Sequence, residues 1–210
     1  MTDHAAAQGA ARADFCRFLA ACYYEPGPEF VEERLFDSMV DAARQIDPEL
    51  LAGARRLGDA FSAEEAQDLL IDYTRLFLGP VDALAKPYGS VWLGTEKTLM
   101  QDSTMDVLAL YEEGGFDIAE DFRELPDHVA AELEFLYLLL FRGNQAIESG
   151  DLAAREEVAS VKKRFLDEHL GRWIVPFAAA MKEGAQCAFY RELADLTRRF
   201  VAIESPQGGA

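Results

Sequence analysis

The sequence predicts an all-α fold, and three observations carry that prediction. Apolar residues recur at three- and four-residue spacings through most of the chain, no segment alternates convincingly with period two, and prolines and glycines fall where helices should end. At 210 residues, half of them hydrophobic, the chain can bury a sizeable core in one large domain or two closely packed ones.

Phe15, Phe18, Leu19, Cys22 and Tyr23 form the first apolar stripe, and Pro26 and Pro28 end it because proline lacks the N–H that a continuing helix needs. Leu35, Met39, Ala43 and Ile46 form the second. Asp47-Pro48 is a cap followed by a first-turn proline, and it opens a helix with Leu50, Leu51, Ala54, Leu57 and Phe61 inward. Ser62 with Glu65 three residues on is a capping-box pattern. It predicts a helix carrying Leu69, Leu70, Tyr73, Leu76 and Phe77, stopped by Gly79-Pro80. A loop-like stretch from Val81 to about Gly94 follows, punctuated by Pro87, Gly89 and Gly94.

Ser103 is the expected cap of a helix with Met105, Leu108 and Tyr111, closed by Gly114-Gly115. Residues 116–126 read as an irregular, acidic hinge between two helical halves, 1–115 and 127–203. Pro126 and Asp127 suit the first turn of the next helix, which carries Leu133, Leu136, Tyr137 and Leu140 towards Gly150. Asp151 caps another, with Val158, Val161 and Phe165 inward. Trp173 to Met181, enclosing Pro176, and a last helix with Phe189, Leu193, Leu196 and Phe200 complete roughly nine or ten helices. Residues 204–210 read as a disordered tail. No fixed-period repeat is present, which argues against a solenoid.

The formal net charge of −18, from 38 acidic and 20 basic residues, makes nucleic acid or an anionic membrane an unfavourable partner and a basic peptide a favourable one. The plainer reading is that this acidity only confers solubility. Cys16, Cys22 and Cys187 are too few and too oddly spaced for a disulfide framework or a zinc site, and read as reduced core thiols. The first fourteen residues lack the basic segment and apolar run of a secretory signal, and the apolar run Leu133 to Phe141 is too short to span a bilayer. A cytoplasmic protein without stable membrane insertion is expected.

Catalytic patterns are missing from the sequence. There is no glycine-rich phosphate loop, no nucleophile elbow around Ser90 and no HExxH. His128 and Glu132 share a helix face but lack an evident third metal ligand, so a capping or hydrogen-bonding histidine is the simpler account. Glu132 and Glu134, two apart on a helix, diverge too far to share a substrate and read as solvated or salt-bridged. The chain is expected to be no enzyme. What remains is the loop-like stretch, where Pro87, Tyr88, Val91, Trp92 and Leu93 could form an apolar groove for a peptide or plug the core between helices.

At these residues the chain resembles the TorD/DmsD family of redox-enzyme maturation chaperones. The likeness runs through Tyr73 to Pro80, Pro87 to Leu93 with Glu96 following, Asp102 to Thr104, Tyr111, Leu125 to His128 and Glu132 to Phe135. It continues through His169 to Trp173, Pro176-Phe177 and Phe189-Tyr190, covering roughly residues 65–203. The resemblance implies a compact helical bundle that needs no cofactor of its own for stability and binds the twin-arginine signal peptide of a molybdopterin oxidoreductase precursor, holding the apo-enzyme back from export until its cofactor is inserted. By motif position it implies a peptide site at Tyr88, Ser90, Trp92, Leu93, Pro126, Asp127 and His128, with Phe77 and Gly79 at the neighbouring helix end. Asp127, with Glu120, Asp121 or Glu124 nearby, is the expected arginine partner.

Rival readings are a chaperone of a leaderless molybdoenzyme subunit, a nucleotide-binding switch and a helical transcription regulator. No phosphate loop supports the second and no basic recognition helix the third. A monomer and a dimer swapped at the hinge are both compatible with the sequence.

Overall fold

Helices built from these stripes wrap one aromatic-rich core. The structure is a computed structural model and describes residues 2–79, 82–94, 99, 102–118 and 124–205. In chain order the helices are α1 (Thr2–Ala21), α2 (Glu29–Glu32), α3 (Leu35–Ile46), α4 (Pro48–Ala63), α5 (Ala66–Tyr73) and α6 (Gly89–Leu93). They continue with α7 (Asp102–Gly114), α8 (Val129–Ser149), α9 (Leu152–Arg164), α10 (Leu170–Gly184) and α11 (Ala188–Glu204). Among the described residues there is no strand, only one isolated antiparallel bridge between Tyr88 and His128. The all-α expectation holds.

Helix α1 lies along α8 and α3, α4 packs on α3 and α11, and α10 joins α11 to α6. The two ends of the chain therefore interleave. Phe36 and Phe61 from the first third meet Phe189 of α11, with Phe30 packed on both of them; the Phe36 and Phe61 ring centres are 4.8 Å apart and those of Phe61 and Phe189 5.4 Å apart. Cys16, Cys22 and Cys187 are buried and free, as expected of core thiols.

Several local expectations hold. Asp47 accepts hydrogen bonds from the Glu49 and Leu50 N–H groups with Pro48 in the first turn, and Asp151 accepts from Ala154. Others need correction. Ser62 opens no helix: it lies in the last turn of α4 and donates back to the Gly58 carbonyl, while Glu65 precedes α5 without a side-chain cap. The carboxylate that does cap is Glu64, which reaches across the chain to the N–H groups of Ala188 and Phe189 at the start of α11, where Asp72 accepts from Gln186 and Cys187. Ser103 lies inside α7, which begins at Asp102. Leu70 and Met105 point outward, at 40% and 63% exposure, because the stripes of α5 and α7 run through their neighbours. Glu204, assigned by the sequence to the tail, ends α11 in a buried position, held by Arg12 and Lys162. The expected hinge falls partly, and the remaining tail residues 206–210 wholly, outside the described residues.

Two stretches depart from α geometry, and both lead to the candidate site. α5 ends in a wider π turn at Thr74–Leu78, and α9 passes through another at Phe165–His169 before α10. Such turns insert a residue and leave carbonyls free for other partners. Here the Arg75 and Leu76 carbonyls accept from Leu84 and Ala85, folding residues 82–88 back along the helix end.

Candidate functional site

The loop-like stretch is built, not slack. The chain turns at Gly79, whose φ of +61° is left-handed and whose missing Cβ would lie 2.4 Å from the Asp82–Ala83 backbone. Residues 82–88 fold back along the helix end, and Gly89–Leu93 form the one-turn helix α6, where the sequence suggested a loop. Two backbone bonds zip it to the segment before α8: the Gly89 N–H donates to the Asp127 carbonyl and the Val129 N–H to the Pro87 carbonyl, both at 2.8 Å.

Asp127 supplies the anchor. It is fully buried, and its Oδ2 accepts from the Ser90 N–H at 2.7 Å, stabilising the start of α6 rather than the start of α8. Helix α8 begins two residues later than Pro126-Asp127 suggested, with His128 as its cap: Nδ1 accepts from the Ala130 N–H at 3.2 Å. The turn at Pro126 is half-buried, and its carbonyl accepts from the Tyr111 hydroxyl at 2.8 Å. Burial holds His128 down at about 4, against the opposing pull of Glu124 and Asp127, so the ring is neutral and free to accept.

Beneath α6 lies a group the sequence reading did not assemble. Glu132 is fully buried, not solvated. Its Oε1 is 2.9 Å from Nδ1 of His169, and its Oε2 accepts from Nε1–H of Trp173 at 2.9 Å. Nε2 of His169 is 2.9 Å from the Ser103 carbonyl, so a protonated ring can donate there while its charge faces the Glu132 carboxylate. Burial by itself would depress His169, but the Glu132 carboxylate outweighs it and holds the ring protonated up to about 9. Burial pushes Glu132 upward against the lowering influence of His169 and Trp173. Gly89 sits on this group: a Cβ there would lie 3.0 Å from Glu132 Oε1 and from Trp173 Nε1.

The candidate residues thus divide by position. Tyr88, Trp92 and Leu93 are half-buried at the surface, while Phe77, Ser90, Asp127 and His128 lie in the interior. Trp92 donates to the Lys86 carbonyl at 2.8 Å and leans on Phe177, with ring centres 6.2 Å apart. Phe77 packs among Tyr23, Tyr73, Phe177 and Tyr190. Leu78 and Leu84, at either end of the Gly79 turn, are exposed at 55% and 48%. Tyr88 crosses His128 edge-on at 5.4 Å and donates to Glu124 Oε2 at 2.5 Å. Glu96, Glu120 and Asp121 lie outside the described residues.

No group of three metal-binding side chains occurs among the described residues, and none of their helices is long and apolar enough to cross a membrane. Tyr88, Trp92 and Leu93 form a largely aromatic shelf with Glu124 at its edge.

A family model described as nitrate reductase delta subunit matches residues 43–179. The chaperone protein TorD of Photobacterium profundum is 31% identical over 68% of this chain and 65% of its own length, so the chain spans about two thirds of that relative. TorD of Vibrio parahaemolyticus is 30% identical over 80% of this chain and 71% of its own. A crystal structure from Archaeoglobus fulgidus, assigned as a redox enzyme maturation protein, superposes with a TM-score of 0.55 over 90% of this chain and 93% of its own. At 19% identity it speaks to the fold alone. The chain belongs to the nitrate reductase delta subunit family, the group of TorD-type redox-enzyme maturation chaperones.

Proposed function

We propose that this protein is a cytoplasmic chaperone that holds the twin-arginine signal peptide of a molybdopterin oxidoreductase precursor while the apo-enzyme acquires its cofactor. The observation that carries the reading is the shelf of Tyr88, Trp92 and Leu93, fixed to the Pro126–His128 turn by paired backbone bonds and the Asp127–Ser90 cap. Exposed Leu78 and Leu84 extend its apolar surface. A signal peptide carries a basic segment and an apolar segment. The shelf offers the second a low-entropy aromatic contact, and the net charge of −18 attracts the first. Gly79 and Phe77 shape the shelf from behind, and Asp127 and His128 hold its far edge.

Holding requires no chemistry, only an affinity that the export machinery can overcome. Trp92→Ala is expected to weaken binding of a synthetic leader peptide by at least about 1 kcal/mol, roughly fivefold, with helix content intact. Calorimetric titration that finds equal affinity removes Trp92 from the site.

The family description names a nitrate reductase, and a second reading makes the client an oxidoreductase subunit without a leader. Capture of clients from the native cytoplasm separates the two: the first predicts a precursor with its leader attached, the second a subunit that never had one.

A further inference from the structure

If the shelf holds the apolar part of a leader, the arginines need a place of their own, and buried Asp127 does not offer a surface for them. Beside Tyr88 the structure gathers Tyr24 and Tyr73 together with Glu25, Glu124 and Glu134. Tyr24 donates to Glu134 Oε1 at 2.7 Å and Tyr88 to Glu124 Oε2 at 2.5 Å. Tyr73 lies within electrostatic reach of Tyr24, Tyr88, Glu124 and Glu25, so the six side chains form one patch. Four segments supply it: the end of α1, the end of α5, the approach to α6, and the 124–134 region.

We propose that this tyrosine–glutamate patch is the subsite that takes an arginine side chain of the bound peptide. The proposal rests on the peptide-binding reading above and assigns the basic half of the ligand. Three features distinguish the patch from ordinary surface acidity. Elsewhere, several buried or partly buried carboxylates are matched by cations: Asp72 by Arg75, Glu204 by Arg12 and Lys162, Glu192 by Arg56. Glu25, Glu124 and Glu134 meet no lysine or arginine among the described residues. Behind the patch, Asp127 is fully buried and its Oδ1 accepts no hydrogen bond from any described residue. Its carboxylate also acts on Tyr88. Finally, the tyrosines are neutral donors: burial first, then the neighbouring glutamates, raise all three hydroxyls, Tyr73 to about 12. A planar guanidinium can lie against such rings while its N–H groups reach two carboxylates, which an ammonium cannot do as well.

The test uses the full chain and two synthetic peptides, one with an Arg-Arg segment followed by a leucine- and alanine-rich stretch, the other with both arginines replaced by glutamine. Wild type is expected to prefer the arginine peptide at least tenfold. Glu124→Gln with Glu134→Gln should erase most of that preference while binding the glutamine peptide as wild type does. Removing two of 38 acidic residues barely alters the overall charge, so general attraction cannot explain such a loss. Tyr24→Leu keeps every carboxylate and should lower the preference at least threefold. A preference that persists in both variants overturns the subsite. So does equal binding of the two peptides to wild type, which leaves the shelf reading standing. Binding of neither peptide overturns the shelf reading, and the subsite falls with it.

Discussion

His128 and His169 both border the Tyr88–Gly89 step, and they carry opposite charge states. His128 is 4% exposed and His169 2%, so burial does not distinguish them. The difference is the partner. His169 touches the Glu132 carboxylate, whereas the nearest use of His128 is to accept a backbone N–H. A contact ion pair outweighs desolvation; carboxylates acting at longer range do not. The lower layer of the site is accordingly a charged, dry clamp, and the upper edge is a neutral cap on which the aromatic shelf rests.

The sharpest way to break this contrast is to remove the carboxylate. Glu132→Gln should destabilise the protein by about 3 kcal/mol, since one partner of a buried pair is left behind, and should let His169 lose its proton near neutrality. Chemical denaturation with histidine NMR titration reads both; a His169 value that stays near 9 would contradict the assignment of cause.

The pH limbs come next. His169 has an ordinary value of 6.5 and a folded value of about 9, so its contribution is whole below pH 6.5 and is lost as pH rises through 9. His128 runs the other way, with a folded value of about 4: its contribution is whole above pH 6.5 and is lost as pH falls through 4. Each limb is worth at most on the order of 3 kcal/mol. His128→Asn, which retains a capping acceptor, should flatten the acid limb and leave the alkaline one, as denaturation midpoints across pH 4–9 will show.

Smaller changes sharpen the picture. Gly89→Ala forces a methyl against the Glu132–Trp173 pair and should cost about 1–2 kcal/mol, more than an alanine at a relaxed one-turn helix would. Tyr88→Phe deletes only the bond to Glu124 and should cost less than about 1 kcal/mol. A larger loss would mean that the tyrosine hydroxyl supports the fold as well as the surface.

Much of the helix order was legible because apolar period and proline–glycine punctuation are local properties, and Asp47-Pro48 and Asp151 cap within their own turns. Ser62 misled because its expected role needs a helix start there, whereas α4 runs on and the neighbouring Glu64 caps a helix 124 residues away. The π turns leave no mark in an apolar pattern. The clamp was partly visible. Glu132 sits on the stripe of Val129, Leu136 and Leu139, where an acid must find a partner, and the chain contains only three histidines. What no local rule could supply was that α9 and α10 bring His169 and Trp173 to it. For the candidate site, motif position located the Tyr88–Leu93 and Pro126–His128 segments, which the structure joins by backbone bonds, but it could not tell surface members from buried ones.

Helix α11 has a consequence for the order in which the molecule is made. Its N-terminus is capped by Glu64 and Asp72, and its aromatic residues close a core begun by Phe30, Phe36 and Phe61. A nascent chain emerging from the ribosome has those early phenylalanines in hand while the residues that cover them are still untranslated. The first third therefore cannot complete its core until α11 has emerged, and a ribosome paused before codon 188 would display an unfinished, sticky surface. A member of a chaperone family thus passes through a vulnerable stage of its own.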